Sequence, residues 1–260
     1  MGKIISFSNQ KGGVGKTTTC VNMSAYLAKA GKKVLLVDLD PQGNATTGLG
    51  FFSRSSTEKK SVYNVLIEEE SVKDNVLSTE IEGLFLLPSG VELAGAEVEI
   101  VYKKSREKVL KNALEKVRSS YDYIMIDCPP SLGLLSINAL AAADSVIIPI
   151  QSEYYALEGL TQLMNSISLV RQHLNKSLEI EGVVLTMFDA RSLTAKQIAS
   201  DIKKYFTKKL YEIVIPRNVR LSEAPSHGKP ILLHDPKCMG ARAYSALTEE
   251  FLKKAEGKGD

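Results

Sequence analysis

Short, continuous apolar segments alternate along the chain with longer segments in which apolar residues recur at helical spacing. Continuous apolar runs are typical of strands that are buried on both faces of a parallel sheet. Such strands are predicted at residues 4–8, 33–38, 84–88, 123–127, 145–150, 181–187 and 213–215. Helices are predicted at residues 16–30, 103–119, 134–142, 157–174, 194–206 and 241–254.

Strands that alternate with helices form βαβ units, and these units build a parallel sheet with helices on both faces. We therefore expect an α/β protein with a mostly parallel, twisted sheet in a three-layer α/β/α arrangement. A single domain is expected to span residues 1–260, with no helix-turn-helix ahead of the first strand. Residues 53–60 are predicted to form a polar surface loop, and residues 255–260 a frayed polar tail.

Composition is that of an ordinary globular protein, with 44% hydrophobic and 24% charged residues in a total of 260. The three cysteines, Cys20, Cys128 and Cys238, are too far apart to form a Cys-x-x-Cys pair, so a cytoplasmic location is expected. No apolar run approaches the roughly 18 residues of a membrane span, and no signal peptide is recognisable.

Charge is unevenly distributed, although the net charge is only +3. Residues 1–185 hold 19 Lys and Arg against 21 Asp and Glu, whereas residues 186–260 hold 14 against nine. A basic excess in the last quarter of the chain indicates a polyanionic partner. A basic face that is merely solvated is the alternative.

Residues 9–19 almost match the phosphate-binding pattern Gly-x4-Gly-Lys-[Ser/Thr]. Gly15, Lys16 and Thr17 close the pattern, but Gln10 stands where its first glycine would be. The segment lies between a predicted strand and a predicted helix, which is the context that a phosphate-binding loop requires. Its backbone N–H groups and the start of the helix would surround phosphate oxygens.

Each side chain of this loop has an expected role in binding a nucleoside triphosphate. Lys16 is placed to reach the β- and γ-phosphates, Thr17 to ligate Mg²⁺, and Thr18 to donate to the α-phosphate. The residues predicted to contact nucleotide here are Lys11, Gly12, Gly13, Val14, Gly15, Lys16, Thr17 and Thr18.

Lys11 is a second lysine at the entrance of the loop. It cannot easily fold back onto phosphates that Lys16 already holds, whereas its long stem can reach a nucleotide in a facing subunit. There it would stabilise the charge that develops during phosphoryl transfer, as an arginine finger does. A solvated surface lysine is the alternative.

The pattern Lys-Gly-Gly-x-Gly-Lys-Thr resembles the deviant Walker A motif of the ParA/MinD group of P-loop ATPases. Residues 37–44 resemble that group's second carboxylate motif, and residues 123–130 its Walker B strand. Residues 215–226 are similar to the chromosome-partitioning branch, ParA/Soj. The resemblance covers essentially the whole chain. It implies a P-loop fold and a Mg²⁺-dependent ATP hydrolase that acts in chromosome or plasmid segregation.

Three carboxylates follow predicted strands. Asp127 ends a strand that would direct it to the ligand-binding edge of an open α/β sheet, where it suits a Mg²⁺-bound water or Thr17. The resemblance assigns Asp40 to the attacking water, with Mg²⁺ contact as an option, and a turn-capping role is the alternative. Asp38 is expected to be structural or to act on the site through a neighbouring residue. The predicted catalytic residues are Lys11, Lys16 and Asp40.

Further contacts rest on the resemblance. It places Pro216 and Asn218 against the adenine, where the Asn amide can both donate and accept, although an ordinary turn Asn is an alternative. Glu153 is expected to face the partner subunit's nucleotide.

The resemblance also implies an ATP-bound homodimer that binds double-stranded DNA without sequence preference, in association with the bacterial nucleoid. A centromere-binding protein of the ParB/Spo0J type would stimulate slow hydrolysis. Non-specific binding needs only phosphate contacts from basic side chains. The predicted DNA-binding residues are Arg191, Arg217, Arg220, Lys196 and Lys203.

Two other classes compete with this interpretation. A MinD-type membrane-associated ATPase would need an apolar amphipathic C-terminal segment, but the apolar residues of 241–254 look like one packed face. An electron-transfer relative like the nitrogenase iron protein would need paired cysteines at a shared cluster, which Cys128 and Cys238 match poorly.

Overall fold

The computed structural model describes residues 2–52, 60–153, 156–255 and 257. Residues 53–59 of the predicted surface loop lie outside the described residues. So do residues 256 and 258–260 of the predicted tail, although the last helix continues to Ala255.

One seven-stranded sheet runs through the described residues, in the order β3-β4-β2-β5-β1-β6-β7. All neighbouring strands are parallel except β3, which pairs antiparallel with β4. The strands are β1 Lys3–Phe7, β2 Val34–Asp38, β3 Leu77–Ser78, β4 Leu84–Leu87, β5 Tyr123–Asp127, β6 Ser145–Gln151 and β7 Glu179–Thr186.

Helices connect and cover the strands. In chain order they are α1 Lys16–Lys29, α2 Asn44–Gly48, α3 Val62–Leu66, α4 Val72–Asn75, α5 Leu93–Glu99, α6 Val109–Glu115, α7 Leu134–Ala142, α8 Ala156–His173, α9 Leu193–Phe206, α10 Val219–Glu223, α11 Ile231–His234 and α12 Met239–Ala255. Short 3-10 turns lie at Ile100–Tyr102, Arg106–Lys108, Arg118–Ser120 and Ala224–His227.

The central strands are buried on both faces, as their continuous apolar runs predict. In β2, Leu35 and Val37 pack with α3 to α9, whereas Val34 and Leu36 pack with α1, α2 and α10 to α12. Successive side chains of a strand point to opposite faces, so one apolar segment supplies both layers of core. The predicted three-layer α/β fold with a mostly parallel sheet is confirmed.

The predicted strand at residues 213–215 is wrong. This segment runs beside β7 but bonds to it only at isolated positions, where Leu210 pairs with Val183 and Pro216 with Phe188. The backbone N–H of Ile213 instead donates to the Glu250 carboxylate at 3.1 Å, as does the preceding residue. A side chain of α12 thus takes two backbone donors of this segment, whereas the Ile215 N–H still donates to the Leu185 carbonyl of β7 at 2.8 Å.

The predicted helix over residues 103–119 is also interrupted. Ser105 has φ 54°, in the left-handed region that an α-helix cannot pass through, and regular helix is limited to α6. The two-residue strand β3 was not predicted, because Leu77–Ser78 is too short to show a period.

The strand order decides which loops meet. β5 lies between β1 and β2, in a register that pairs Asp127 with Phe7 on one side and with Asp38 on the other. The carboxyl ends of these parallel strands therefore bring the loop after β1, the loop after β2 and Asp127 to one edge of the sheet. Ligands of open α/β sheets bind at this edge.

Candidate functional site

The segment between β1 and α1 forms a tight loop around the start of α1. Gly13 and Gly15 have φ values of 73° and 82°, which L side chains rarely adopt. Val14 is buried, and its carbonyl accepts a 2.7 Å hydrogen bond from the Thr186 hydroxyl at the end of β7. The loop is thus fixed to the sheet through Val14, whose N–H remains the group that could contact phosphate.

Lys16 is buried beneath the loop, and its ammonium donates to the Lys11 carbonyl at 3.3 Å. Burial lowers the pKa of Lys16 from its ordinary value, while the nearby Asp127 carboxylate acts in the opposite direction. An ammonium held in this position, with few partners of its own, is ready to donate to phosphate oxygens.

Asp127 is fully buried at the end of β5, and neither of its carboxylate oxygens has a hydrogen-bond partner of good geometry among the described residues. Burial raises its pKa well above the ordinary value, as does Asp38, while Thr17 and Lys16 oppose that rise. A buried carboxylate without partners, close to a threonine hydroxyl, fits a hydrated Mg²⁺ ion. Thr17 and Asp127 are therefore the residues that would hold Mg²⁺.

Asp38 is engaged in the structure of the loop after β2. Its carboxylate accepts from the Thr46 N–H and hydroxyl, each at 2.7 Å, and from the Asp40 N–H at 3.2 Å. The Thr46 hydroxyl in turn accepts from the Ser89 N–H at 3.0 Å. These contacts agree with the structural role expected for Asp38, whose burial raises its pKa to about 6.

Asp40 is buried, but it also lines a cavity that lies over the phosphate-binding loop. One of its carboxylate oxygens accepts from the Gln42 N–H at 2.9 Å, and its carbonyl accepts from the Ser89 hydroxyl at 2.7 Å. Its other oxygen has no protein donor in the described part of the chain. One oxygen of the Asp40 carboxylate therefore caps the turn, while the other is available to a water molecule. The two roles expected for Asp40 do not exclude each other.

A cavity of about 390 Å³ lies over the loop and brings several predicted residues together. Its volume is within the range of small-molecule sites. From the prediction it contains Gly12, Gly13, Gly15, Lys16, Thr17, Thr18 and Asp40.

Part of the cavity wall is made by residues that the sequence did not single out. Met187 follows β7, while Leu221, Ala224 and Pro225 come from α10 and the turn after it. These side chains offer an apolar surface suited to a base. Three of the four lie within residues 215–226, so the resemblance of that segment to the partitioning branch is the signal in the sequence that pointed toward this wall.

Pro216 and Asn218 do not line the cavity. Pro216 pairs with Phe188, and Asn218 precedes α10 with its side-chain oxygen buried and without a partner among the described residues. Contact of these two residues with adenine stays a prediction.

Lys11 lies outside the cavity, on its rim. Its ammonium forms a 2.7 Å ion pair with Glu153, which follows β6. Its N–H donates to the Asn9 side chain, and the Asn9 amide donates to the Pro149 carbonyl at 2.7 Å. The loop entrance is thus tied to β6, and Lys11 and Glu153 are brought together within one chain.

The three predicted arginines lie on neighbouring segments. Arg191 follows β7, and the pairing of Phe188 with Pro216 brings its loop beside Arg217. Arg220 stands one turn further, in α10. Lys196 and Lys203 are exposed seven residues apart in α9, hence on one face of that helix.

Neither a metal cluster nor a membrane span is found in the described residues. They contain no group of three or more His, Cys, Asp or Glu side chains arranged to hold a metal ion. In the same part of the chain, every helix is too short or too polar to cross a bilayer.

Comparison with known proteins agrees with the fold and the loop. The model of an AAA-domain family matches residues 2–180. The sporulation initiation inhibitor protein Soj of Bacillus subtilis is 59% identical over 96% of this chain and 98% of its own length. The chromosome partitioning protein ParA of Myxococcus xanthus is 52% identical over 98% of this chain and 89% of its own length.

Solved structures agree as well. A cobyrinic acid a,c-diamide synthase from Mycobacterium smegmatis, with an ATP analogue and magnesium bound, has a TM-score of 0.84 at 35% identity and covers 100% of this chain and 98% of that one. The cell division ATPase MinD of Pyrococcus furiosus has a TM-score of 0.81 at 27% identity, covering 98% and 100%. The resemblance inferred from the sequence is thereby confirmed: the chain belongs to the AAA-domain family of P-loop ATPases and is an ATP-hydrolysing enzyme of the ParA/Soj partitioning type.

Proposed function

We propose that this enzyme is a DNA-segregation switch driven by Mg²⁺ and ATP. ATP joins two subunits face to face, the dimer binds DNA without sequence preference, and slow hydrolysis returns it to monomers. The observation that carries this proposal is the separation of two lysines of one loop. Lys16 lies within its own cavity, whereas Lys11 lies outside it on an exposed rim.

The chemistry at the site follows from its charges. Lys16 and the loop N–H groups would neutralise the phosphates, and Mg²⁺ would supply further positive charge between them. Asp40 would orient a water molecule through its free carboxylate oxygen. The neighbouring buried carboxylates have other roles, because Asp38 is bonded to Thr46 and Asp127 would serve Mg²⁺. Slow hydrolysis is therefore expected, as a switch requires.

Lys11 would complete the site of the other subunit. Its stem is half-exposed and its ion pair with Glu153 is open to solvent, so the pair can be exchanged for phosphate at little cost. Glu153 would then be released toward the nucleotide of the partner. Each site would thus be incomplete without a second copy, which links ATP binding to dimer formation.

DNA binding is assigned to the edge that carries Arg191, Arg217 and Arg220. Each side chain is solvent-exposed and able to meet a phosphate. Lys196 and Lys203 would extend the contact along α9. A dimer would present two such edges. Because they are joined, both can bind one DNA molecule, and its affinity for the dimer would be much higher than for a single edge.

The names of the relatives support a role in segregating a chromosome or plasmid in the bacterial cytoplasm, on the nucleoid. We propose a partner of the ParB/Spo0J type that stimulates hydrolysis. A MinD-type membrane role is disfavoured, because Tyr244, Leu247 and Phe251 of α12 are buried against the sheet rather than available to a bilayer.

The test is size-exclusion chromatography without nucleotide, with ADP and with ATP, each with and without plasmid DNA. A dimer formed only with ATP, which alone elutes with DNA, supports the proposal. Arg220→Glu should keep the ATP-dependent dimer but lose co-elution with DNA. A wild-type chain that is monomeric with ATP, or that ignores DNA in every state, overturns it.

A further inference from the structure

Two of the three arginines at the proposed DNA edge already have carboxylate partners. Arg191 forms a two-pronged contact with Asp189, in which Nε and Nη2 reach the two carboxylate oxygens at 3.1 Å each. Arg220 donates to Glu223 at 2.8 Å and lies 3.5 Å from Asp235. Both arginines are exposed, with side chains 90% and 56% accessible.

The carboxylates accept hydrogen bonds from the same guanidinium N–H groups that would donate to a DNA phosphate. A guanidinium binds a planar or tetrahedral anion through a fork of two N–H groups, and Asp189 fills that fork on Arg191. Hydrogen bonding to Arg191 lowers the pKa of Asp189, and Arg217 contributes to the same effect. A DNA phosphate must therefore displace a carboxylate from the arginine. The carboxylate stays nearby because the chain holds it there, and its negative charge repels the phosphate.

Arg217 differs from its neighbours. It is exposed and has no ion pair or hydrogen-bond partner among residues 2–52, 60–153, 156–255 and 257. A subunit thus presents one free arginine and two that are balanced by acids. The edge is far less positive than its arginine count suggests.

We infer that Asp189 and Glu223 hold down the DNA affinity of a single subunit, so that DNA binding depends on two subunits acting together. This inference rests on the proposed DNA-binding function. With a weak edge on each subunit, a monomer stays free, whereas a dimer adds two edges and gains affinity from their connection. Without the two acids, Arg191 would lose its partner and Arg220 would keep only the more distant Asp235, so a single edge should bind DNA more tightly.

The test uses Asp189→Asn, Glu223→Gln and the double variant in the full chain. Asn can still accept the N–H of Arg191 that now donates to Asp189, so the loop should keep its turn. Binding to a fluorescent random-sequence duplex is measured by anisotropy with ATP, with ADP and without nucleotide. We expect about threefold tighter binding for each single variant, about tenfold for the double, and measurable binding of the double variant with ADP.

Three controls separate charge competition from other effects. Glu69→Gln removes another exposed, ion-paired carboxylate, which pairs with Lys103 and lies between α3 and α4, and should leave DNA affinity unchanged. Asp189→Glu and Glu223→Asp keep the negative charge, so each variant should bind DNA with the affinity of the wild type. Thermal unfolding midpoints confirm that each variant is folded.

Each outcome supports or overturns the inference. Unchanged affinity in the double variant, or an equal gain in Glu69→Gln, overturns it while leaving wild-type DNA binding intact. If neither the wild type nor the double variant binds DNA in any nucleotide state, the proposed function and the inference both fail. Binding by the double variant alone overturns the proposed DNA binding of the wild-type dimer, and with it the inferred dependence on two subunits.

Discussion

The ammonium of Lys11 lies 2.7 Å from the carboxylate of Glu153 in the same chain. The two residues belong to the segments that come after β1 and β6, neighbouring strands of the sheet. Their side chains are 36% and 48% exposed, so the pair is worth no more than about 1 kcal/mol. The ion pair keeps Lys11 on the rim of its own cavity, but it is weak enough to be exchanged for another anionic partner.

Replacing Lys11 by Ala should uncouple ATP binding from dimer formation and hydrolysis. We expect nucleotide affinity within about twofold of wild type, because the ammonium lies outside its own cavity. Dimer formation with ATP should be lost, and turnover should fall by roughly 10³, as for loss of an arginine finger. Fluorescent-nucleotide titration, light scattering and phosphate release measure the three quantities.

The matched control is Lys29→Ala, which removes an exposed lysine from the last turn of α1. It should change none of the three quantities. Dimerisation and turnover of Lys11→Ala at the wild-type level would refute a role for Lys11 in a neighbouring site.

Replacing Asp40 by Ala should trap an ATP-bound state. Loss of a residue that orients the attacking water should slow hydrolysis by about 10² or more, while Lys16 and the loop still bind phosphate. Phosphate release and retention of labelled ATP on a filter are the measurements.

Asp40→Asn distinguishes the two roles of this side chain. An amide oxygen can still accept from the Gln42 N–H, which Asp40 now does at 2.9 Å. If Asn restores hydrolysis to the wild-type rate, Asp40 serves only to cap its turn, and the assignment to the water is wrong.

Thr46→Val should destabilise the fold. The Thr46 hydroxyl donates to Asp38 and accepts from the Ser89 N–H, and all three residues are buried. Valine fills the same space but removes the acceptor that the Ser89 N–H uses and one donor from a buried carboxylate. The free energy of unfolding should fall by about 1–3 kcal/mol, measured in urea.

Thr47→Val serves as the comparison for that experiment. In the described part of the chain, the Thr47 hydroxyl bonds only to the Gly43 and Asn44 carbonyls at the start of its own helix, and Thr47 is partly exposed. Its replacement should cost less than about 0.5 kcal/mol. If the free energy of unfolding fell equally in the two variants, the hydrogen bonds that Thr46 makes with Asp38 and Ser89 would make no specific contribution to stability.

The three thiols should differ in reactivity. Cys20 and Cys128 are buried, and burial raises the pKa of Cys128 to about 12, whereas Cys238 is partly exposed. An aromatic disulfide reagent at pH 8 should therefore modify one thiol quickly in the native protein and three in guanidinium chloride. The variant Cys238→Ser should abolish the fast phase, and a fast phase that persists would contradict this.

The sequence was most informative where one local pattern had one structural solution. Gly15, Lys16 and Thr17 between an apolar strand and an amphipathic helix have few alternatives, and the strands that end at Asp38 and Asp127 are continuous apolar runs. The prediction failed at 213–215, where apolar residues suggested a strand. There Glu250, 37 residues further along the chain, binds the backbone donors, and no local pattern contains that information.

Pairing between distant charges was likewise beyond the sequence. Lys11 and Glu153 are 142 residues apart, and only the sheet order makes them neighbours. The partners of Arg191 and Arg220 are close in sequence, but a count of basic residues treats every arginine as free. The apolar wall formed by Met187 and Leu221 requires two segments that meet only after folding.

The insertion of β5 between β1 and β2 has a consequence for how the protein is made. The phosphate loop emerges from the ribosome first and Asp38 soon after, but their strands have no edge in common until Tyr123–Asp127 has been synthesised. Because non-local pairing must bear the entropy of closing long loops, the site should form late during synthesis. A nascent chain that stops before residue 123 should therefore be unable to hold nucleotide, although it already contains the entire phosphate loop.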